Sequence, residues 1–290
     1  MVSEGHKQTI TQLKKEFEKL KVGKESLLKI IRETELPDLV YNSNAIENST
    51  LTLKETERIL LELEVSRNVS VRELFEAKNL ARVTDYLTNN PDISLSLENI
   101  LLLHKMLISG INDSIAGRLR KQNEYVRVAD HIAPAPEHLE RLLEEALIEY
   151  ESSLDIYFLD RISRFHLEFE HIHPFNDGNG RIGRVLIGQQ LAKYGLPPII
   201  IRNKGKKDNY YPAFSEYRDS KSTNRLDALL SLAVIESLHK RIAYLEGRSM
   251  IDLAEYAKKS RQSVNSLLNA ARRQTIPAFR EKGVWKIGVK

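Results

Sequence analysis

Two amphipathic helical patterns joined by one short loop constrain the fold of this chain most strongly. Residues 156–172 carry apolar side chains three and four positions apart, and Pro174 ends that pattern. A second pattern covers residues 180–194, and Gly195 is suited to cap its end. Similar spacing predicts further helices over residues 8–22, 54–64, 71–89 and 96–108 and from about residue 137 onward. The chain is therefore predicted to be mainly helical.

Residues 116–135 follow a different pattern. Gly117, the alternation from Tyr125 to Val128, and the closely spaced Pro134 and Pro136 favour an extended hairpin over a helix. We therefore expect one hairpin within an otherwise helical core.

The composition excludes several classes of chemistry and location. No apolar run approaches the ~20 residues that a membrane-spanning helix needs, and the first residues lack the apolar segment of a signal peptide. We therefore expect a cytoplasmic protein with no membrane contact. The chain contains 0 cysteines, which excludes disulfides, thiolate metal sites and cysteine nucleophiles. Any catalysis must use His, carboxylate, hydroxyl or Arg side chains.

The loop between the two strongest helical patterns concentrates residues that bind anions. Gly178, Asn179 and Gly180 let backbone N–H groups approach an anion at the start of the following helix. Arg181 and Arg184 are neighbours on the first turn of that helix. Two cations at the positive end of a helix dipole are unfavourable without a counter-charge. The pattern therefore indicates a bound polyanion such as a di- or triphosphate.

Two further residues of this loop suggest catalysis. Asp177 is the one carboxylate between residues 173 and 184, and Mg²⁺ beside phosphates prefers one or two carboxylates plus phosphate oxygens. His173 directly follows the preceding helix and could accept a proton from an incoming hydroxyl group.

Three other interpretations of this loop explain less. Residues 178–183 fit the dinucleotide-binding pattern G-x-G-x-x-G, but a helix precedes them and residues 185–207 contain no Asp or Glu. His166, His171 and His173 lack the H-E-x-x-H spacing of a zinc site, and His166 is expected to pack near the core. A simple turn between helices would not require a histidine and two arginines together.

The segment His173-Pro-Phe-Asn-Asp-Gly-Asn-Gly-Arg-Ile-Gly-Arg184 resembles the Fic/Doc family signature H-P-F-x-[D/E]-G-N-G-R-x-x-R at every defined position. Leu97–Met106 is similar to the opening helix of that family, and Ala116–Arg120 with His131–Pro136 resemble its flap hairpin. The resemblance covers roughly residues 97–235. It implies an all-α fold with one β-hairpin flap and the activity of a protein adenylyltransferase.

The resemblance also implies roles for single residues. His173 would deprotonate a Ser, Thr or Tyr hydroxyl of a target protein, and that hydroxyl would attack the α-phosphate of ATP. Asp177 would hold Mg²⁺. The phosphates would be bound by Gly178, Asn179, Gly180, Arg181 and Arg184. Tyr210 and Tyr211 are similar to a tyrosine pair that lies near the adenine in relatives, although such pairs are often part of a core.

Upstream of this core, Ser43-Asn-Ala-Ile-Glu-Asn48 is similar to the inhibitory motif [S/T]-x-x-x-E-[G/N] of the family. The resemblance implies an inhibitory helix that contains Ser43 and Glu47, with Glu47 paired to Arg184. Without a Fic-type core beside it, the segment would indicate only a helix end with an exposed glutamate.

Three regions are predicted along the chain: an N-terminal helical region with the inhibitory helix (residues 1–96), a Fic-type core (97–247) and a C-terminal module (248–290). The module contains ten Lys/Arg and three Asp/Glu, a net charge of +7. Its pattern resembles a small winged helix-turn-helix that would turn Arg261, Gln262 and Asn265 towards a DNA groove. A protein-docking module explains the same basic face equally well.

The predicted function is an autoinhibited transfer of AMP from ATP to a protein hydroxyl, with the target docked on the flap near residues 121–131 by strand addition. One alternative is removal of AMP, or transfer of another phosphate-containing group, at the same site. The other is an ATP-sensing, DNA-binding regulator without catalysis. A homodimer also stays open.

Overall fold

The computed structural model of the protein describes residues 1–62, 65, 69–128 and 131–289, with the backbone alone at His131. These residues form a mainly helical fold, which confirms the predicted class. The α-helices are α1 (Glu4–Leu20), α2 (Glu25–Ile46), α3 (Leu53–Glu57), α4 (Val71–Asn89), α5 (Leu97–Ile108), α6 (Leu139–Ser152), α7 (Phe158–Ile172), α8 (Asn179–Lys193), α9 (Tyr211–Ser220), α10 (Asn224–Leu245), α11 (Leu253–Ser260) and α12 (Val264–Arg272). The strands are β1 (Arg127–Val128), β2 (His131–Ile132), β3 (Ser249–Asp252), β4 (Ala278–Glu281) and β5 (Val284–Val289).

The loop between α7 and α8 is closed by its own backbone and side chains. His173 adopts the left-handed conformation with φ 49°, and Pro174 follows it, so α7 cannot continue. Gly178, at φ 86°, begins α8 with a conformation that glycine adopts without strain. Asn179 accepts a hydrogen bond from the Phe175 N–H (2.9 Å) and donates one to the Phe175 carbonyl (2.8 Å). The loop is therefore held in a single compact turn.

Two large hydrophobic clusters lie on either side of α7 and α8. One packs α4 and α5 against Phe169 and Phe175, and the other packs α1 and α10 against the opposite face of α7, including Leu159 and Ile162. Both helices contribute buried side chains to both clusters. The loop that joins them is consequently fixed at each end by a packed core.

Helix α2 brings the predicted inhibitory segment next to α8. Pro37 lies inside this helix, and the next residue, Asp38, forms a buried ion pair with Arg202 (2.7 Å). The helix ends at Ile46, and Glu47 takes a non-helical conformation directly after it. Glu47 therefore directly follows a helix that the ion pair of Asp38 with Arg202 holds in place.

The predicted hairpin is present but short. In β1 and β2, Arg127 pairs with Ile132 and Val128 with His131. Arg120 holds the base of the surrounding loop, because its guanidinium donates to the carbonyls of His173 (2.9 Å), Glu124 (3.0 Å) and Pro134 (2.9 Å). Ala129 and Asp130, within the predicted docking segment 121–131, lie outside the described residues, as do Leu63 and Glu64 at the end of a predicted helix.

The C-terminal residues fold around a small hydrophobic cluster of their own. Strands β3, β5 and β4 form an antiparallel sheet in that order, and α11 and α12 pack against it. The unit is docked on α10, where Arg280 pairs with Glu236 (2.5 Å). Its identity as a winged helix-turn-helix stays a prediction. Within the described part of the chain, no helix is long and apolar enough to span a bilayer.

Candidate active site

The first turn of α8 presents backbone donors to one point outside the helix. The N–H groups at a helix start have no partner inside the helix, and here they belong to Asn179, Gly180 and Arg181. The helix dipole adds positive potential at the same point. The start of α8 is therefore suited to an anion.

A carboxylate of the chain itself lies against the first turn of α8. Glu47 Oε1 lies so close to Gly180 that a Cβ atom at residue 180 would collide with it. The same oxygen accepts a hydrogen bond from Arg184 Nη2 at 2.8 Å. Ser43 holds the other side of that guanidinium through its hydroxyl (2.9 Å from Nε) and its carbonyl (2.9 Å from Nη2). The two residues of the predicted inhibitory motif therefore meet Arg184 directly.

The end of α2 is anchored by residues 206–211. Lys206 Nζ donates to the carbonyls of Ala45 (2.7 Å) and Ile46 (3.0 Å) at the end of the helix, where carbonyls lack their usual partner four residues on. The Tyr211 hydroxyl also donates to the Ile46 carbonyl (2.6 Å). These bonds hold Glu47 in contact with α8.

Asp177 belongs to a closed ring of four charged residues. Arg181 donates to Asp177 Oδ1 (2.9 Å), and Arg72 of α4 donates to Oδ2. Glu76, one turn further along α4, lies 3.0 Å from Arg72 Nε and 3.3 Å from Arg181 Nη1. Arg181 is 2% exposed, so its charge is compensated by these two carboxylates rather than by water.

His173 lies beside a second buried carboxylate. Its Nδ1 is 3.8 Å from Glu170 Oε2, one turn back in α7. Burial, and after it the negative charge of Glu47, raises the pKa of Glu170 to about 8. Gly183 leaves room for this group, because a Cβ there would come within 2.6 Å of Glu170 Oε1. Glu170 is therefore a neutral neighbour of His173 at pH 7.

His104 of α5 contacts the loop between α7 and α8 through a hydrogen bond and ring stacking. Its Nδ1 accepts a hydrogen bond from the Gly117 N–H (3.1 Å), so its Nε2 carries the proton and donates to the Asp177 carbonyl (3.0 Å). The ring stacks on Phe175 with centroids 3.7 Å apart. Burial lowers the pKa of His104 to about 4, so the ring is neutral. It fixes the backbone at Asp177.

The two tyrosines predicted to lie near the adenine, Tyr210 and Tyr211, differ in their burial. Tyr210 is 2% exposed, and its hydroxyl bonds His166 Nε2 at 2.8 Å. Tyr211 is 37% exposed, so more of its surface is open to a ligand. His166 is buried against Tyr210 and Phe214, and burial, followed by the charge of Arg184, lowers its pKa to about 3. The packing role expected for His166 agrees with this environment.

The described residues contain no group of three or more His, Asp or Glu side chains close enough to hold a metal ion by themselves. Asp177 is the loop's one carboxylate, and 31% of its side chain is exposed. A metal at this position would need further oxygen ligands from a bound molecule.

Residues 94–191 match the family described as Fic/DOC. The matched segment includes α7 and the loop that follows it. "Protein adenylyltransferase Fic" of Nematostella vectensis is 33% identical over 177 residues, which are 59% of this chain and 41% of that protein. The chain thus spans about two fifths of the length of this curated relative.

Two solved structures share the fold. A Fic domain containing signaling protein from Bacteroides thetaiotaomicron is 25% identical, with a TM-score of 0.74 over 83% of this chain and 98% of the other. A Fic family protein from Desulfovibrio desulfuricans is 20% identical, with a TM-score of 0.66 over 100% of this chain and 97% of the other. The second likeness extends the shared fold to the C-terminal module.

Proposed function

We propose that this protein is an adenylyltransferase that transfers AMP from ATP to a hydroxyl group of a target protein, and that Glu47 holds it inactive. The observation that carries the proposal is the loop between α7 and α8, in which His173 caps α7, Asp177 lies in the turn, and the first amides of α8 follow directly. The name of the Nematostella vectensis relative supports the same reaction.

Each group of the site has one role in the proposed AMP transfer. His173 takes the proton of a target Ser, Thr or Tyr hydroxyl, whose oxygen then bonds to the α-phosphorus of ATP. The bond from that phosphorus to the oxygen bridging to the β-phosphate breaks, and pyrophosphate leaves. Gly178, Asn179 and Gly180 bring N–H donors to the α-phosphate charge, while Arg181 and Arg184 bind the β- and γ-phosphates.

Asp177 suits a divalent cation only in the presence of the nucleotide. One carboxylate plus phosphate oxygens is a donor set that Mg²⁺ accepts, and Asp177 is the one carboxylate of the loop. When bound, Mg²⁺ neutralises charge on the phosphates. We therefore assign Asp177 as the residue that would hold it.

Inhibition by Glu47 follows from competition for two positions. Its carboxylate uses the Arg184 guanidinium and covers Gly180 at the start of α8. A γ-phosphate requires the same guanidinium, and two anions cannot share it without repulsion. ATP would then bind with displaced phosphates, and in-line attack is lost when the reacting atoms are misplaced by about 1 Å.

The target is proposed to dock on the flap. The strands β1 and β2 are two residues long and pair with each other alone among the described residues. Their outer edges can accept an extended segment of another chain by strand addition. Such docking would bring a hydroxyl near His173, since Arg120 ties the base of the flap to the His173 carbonyl.

The test is incubation of Glu47→Gly with α-phosphate-labelled ATP in native lysate. We expect strong labelling of the protein itself or of a target, because Arg184 and the α8 amides become available. The double variant Glu47→Gly with His173→Ala should remain unlabelled. Arg184→Ala should also show no labelling, because this variant releases Glu47 but loses the contact with the phosphate.

Mass spectrometry distinguishes the reaction types. An AMP adduct on a Ser, Thr or Tyr residue supports the proposal, whereas a different adduct, or loss of AMP from a pre-modified protein, supports the alternative group transfer. A folded, ATP-binding Glu47→Gly variant that labels nothing above the wild-type level would refute the inhibitory role.

A further inference from the structure

Two side chains from residues 206–211 bond the end of α2. Lys206 to Tyr210 form a single π-helical turn that leads directly into α9, which begins at Tyr211. Tyr210 fixes this turn to the core, because it is fully buried and its hydroxyl bonds His166. Lys206 and Tyr211 therefore reach α2 from a base that is itself packed in place.

Lys206 bonds the chain on both sides of Glu47. Its ammonium group donates to the carbonyls of Ala45 and Ile46, which precede that residue. It also donates to Oδ1 of Asn48, which follows it, at 3.0 Å. A lysine ammonium group has three donors, and these three acceptors use all of them. A cation at this position is also favoured by the dipole at the C-terminal end of α2.

Tyr211 adds a second donor at the same helix end. Its hydroxyl and the Lys206 ammonium group both donate to the Ile46 carbonyl. A carbonyl oxygen has two lone pairs, so both bonds can form at once. We call Lys206 and Tyr211 together the latch.

The latch acts where the inhibitory contact is weak by itself. The side chain of Glu47 is 42% exposed, and ion pairs with so exposed a partner contribute little on their own. The backbone of Glu47 is non-helical (φ −84°, ψ 18°), and Asn48 follows in the left-handed conformation (φ 67°). Because the residues on both sides of Glu47 are bonded to Lys206, its carboxylate cannot swing away with the backbone while those bonds persist.

We propose that Lys206 is the positioning residue of the inhibitory glutamate: together with the Tyr211 hydroxyl it holds Glu47 on Arg184, and opening of this latch is the step that releases inhibition. The effect on AMP transfer rests on the proposed function. The immobilisation of residues 45–48 does not depend on it.

Lys206→Met tests the latch, because it removes the ammonium group and keeps most of the aliphatic stem. Lys207→Met is the matched control, since Lys207 lies next to it in the same turn and is exposed. In the chain that retains Glu47, transfer from α-phosphate-labelled ATP should rise about tenfold in Lys206→Met and change by less than about twofold in Lys207→Met. No increase in Lys206→Met, or an equal increase in both variants, would overturn the proposal.

The same substitution in the Glu47→Gly background separates positioning from a direct role in the reaction. Lys206→Met should there change transfer by less than about twofold, because no carboxylate is left to position. A large fall would show that Lys206 serves the nucleotide or the fold, and a further large rise would show that it acts on something other than Glu47. Either result would overturn its assignment as the positioning residue.

A second readout needs neither nucleotide nor catalysis. Amide hydrogen exchange over residues 40–49 should be severalfold faster in Lys206→Met and in Tyr211→Phe than in the wild type, and unchanged in Lys207→Met. Unchanged exchange in Lys206→Met would overturn the latch. Failure of the proposed function would appear instead as absent labelling by Glu47→Gly, with the exchange result unaffected.

Discussion

At the scale of single residues, the site's cations are already paired with carboxylates of the chain. Arg184 pairs with Glu47, and Arg181 with Asp177 and Glu76. A buried guanidinium without a counter-charge is costly, so these partners keep both arginines in place before any nucleotide arrives. Phosphate oxygens would then exchange with carboxylate oxygens rather than enter an unpaired site.

His173→Ala tests the division between binding and chemistry. The proposed phosphate contacts come from Arg181, Arg184 and the start of α8, so ATP affinity should change by less than about threefold while transfer falls by about 10² or more. Calorimetric ATP titration and label transfer, both in the Glu47→Gly background, measure the two quantities. Undiminished transfer would refute His173 as the base.

Glu170 predicts a pH dependence of stability. Its pKa rises from an ordinary 4.5 to about 8 on folding, so between these values the folded protein keeps a proton that the unfolded chain releases. Stability from this group is therefore complete below pH 4.5 and is lost as the pH rises towards 8.

Glu170→Gln should remove this loss, because the amide stays neutral at every pH. The Tm of the variant relative to wild type should rise by several degrees between pH 5 and pH 8, as scanning calorimetry would show. Glu151→Gln, at an exposed position, is the control and should show no such trend. A Tm difference independent of pH would contradict the assignment.

The sequence predicted the residues of the loop but not those that reach it from elsewhere. His173, Asp177, Arg181 and Arg184 stand in one recognisable segment, and their neighbourhood follows from chain connectivity. Glu76 lies 105 positions before its partner Arg181, and His104 lies 73 positions before its partner Asp177, so both contacts depend on helix packing. The i,i+4 spacing of Arg72 and Glu76 is visible in the sequence. Such charge pairs occur on many exposed helices, so the spacing alone does not identify a functional site.

At the scale of elements, α4 contributes directly to the site. Its first turns supply Arg72 and Glu76 to the ring around Asp177. The periodicity of residues 71–89 predicted the helix, but not that its N-terminal end meets α8. Helix α2 was predicted from the family resemblance but not from periodicity, because Pro37 interrupts its pattern and polar residues such as Asp38 and Asn42 are buried in it.

Arg72→Ala should increase metal affinity. Arg72 places a positive charge on Asp177 Oδ2, where it competes with a divalent cation. Its side chain is 59% exposed, and such ion pairs contribute at most about 1 kcal/mol. Mn²⁺ binding in the presence of a non-hydrolysable ATP analogue should therefore tighten by about two- to fivefold, as measured by electron paramagnetic resonance.

Arg82→Ala is the matched control on the same helix. Arg82 donates to the Met106 carbonyl at 2.6 Å and is absent from the ring. Its removal should leave Mn²⁺ affinity unchanged. Equal affinities of Arg72→Ala and wild type would show that Arg72 does not compete for Asp177.

At the scale of the whole molecule, the C-terminal module is docked on the core through α10. Arg280 and Glu236 pair across the junction, as do Glu281 and Lys240 (3.3 Å). Phe279 is fully buried. All proposed catalytic groups lie upstream of this junction, so we expect the module to stabilise α10 and to take no part in the chemistry.

Removal of residues 248–290 should therefore lower thermal stability and leave the rate of AMP transfer unchanged. The truncated chain loses Arg280 and Glu281, which pair with Glu236 and Lys240, and exposes the face of α10 that Phe279 covers, so we expect its Tm to fall by about 5 °C. In the Glu47→Gly background, transfer per folded molecule at low temperature should stay within about twofold of the full chain, because the base and the phosphate contacts are intact.

Arg280→Ala in the full chain serves as the control and should lower Tm by a smaller amount with no change in transfer. Loss of transfer by a truncated chain that still unfolds cooperatively and binds ATP would show that the module takes part in the reaction.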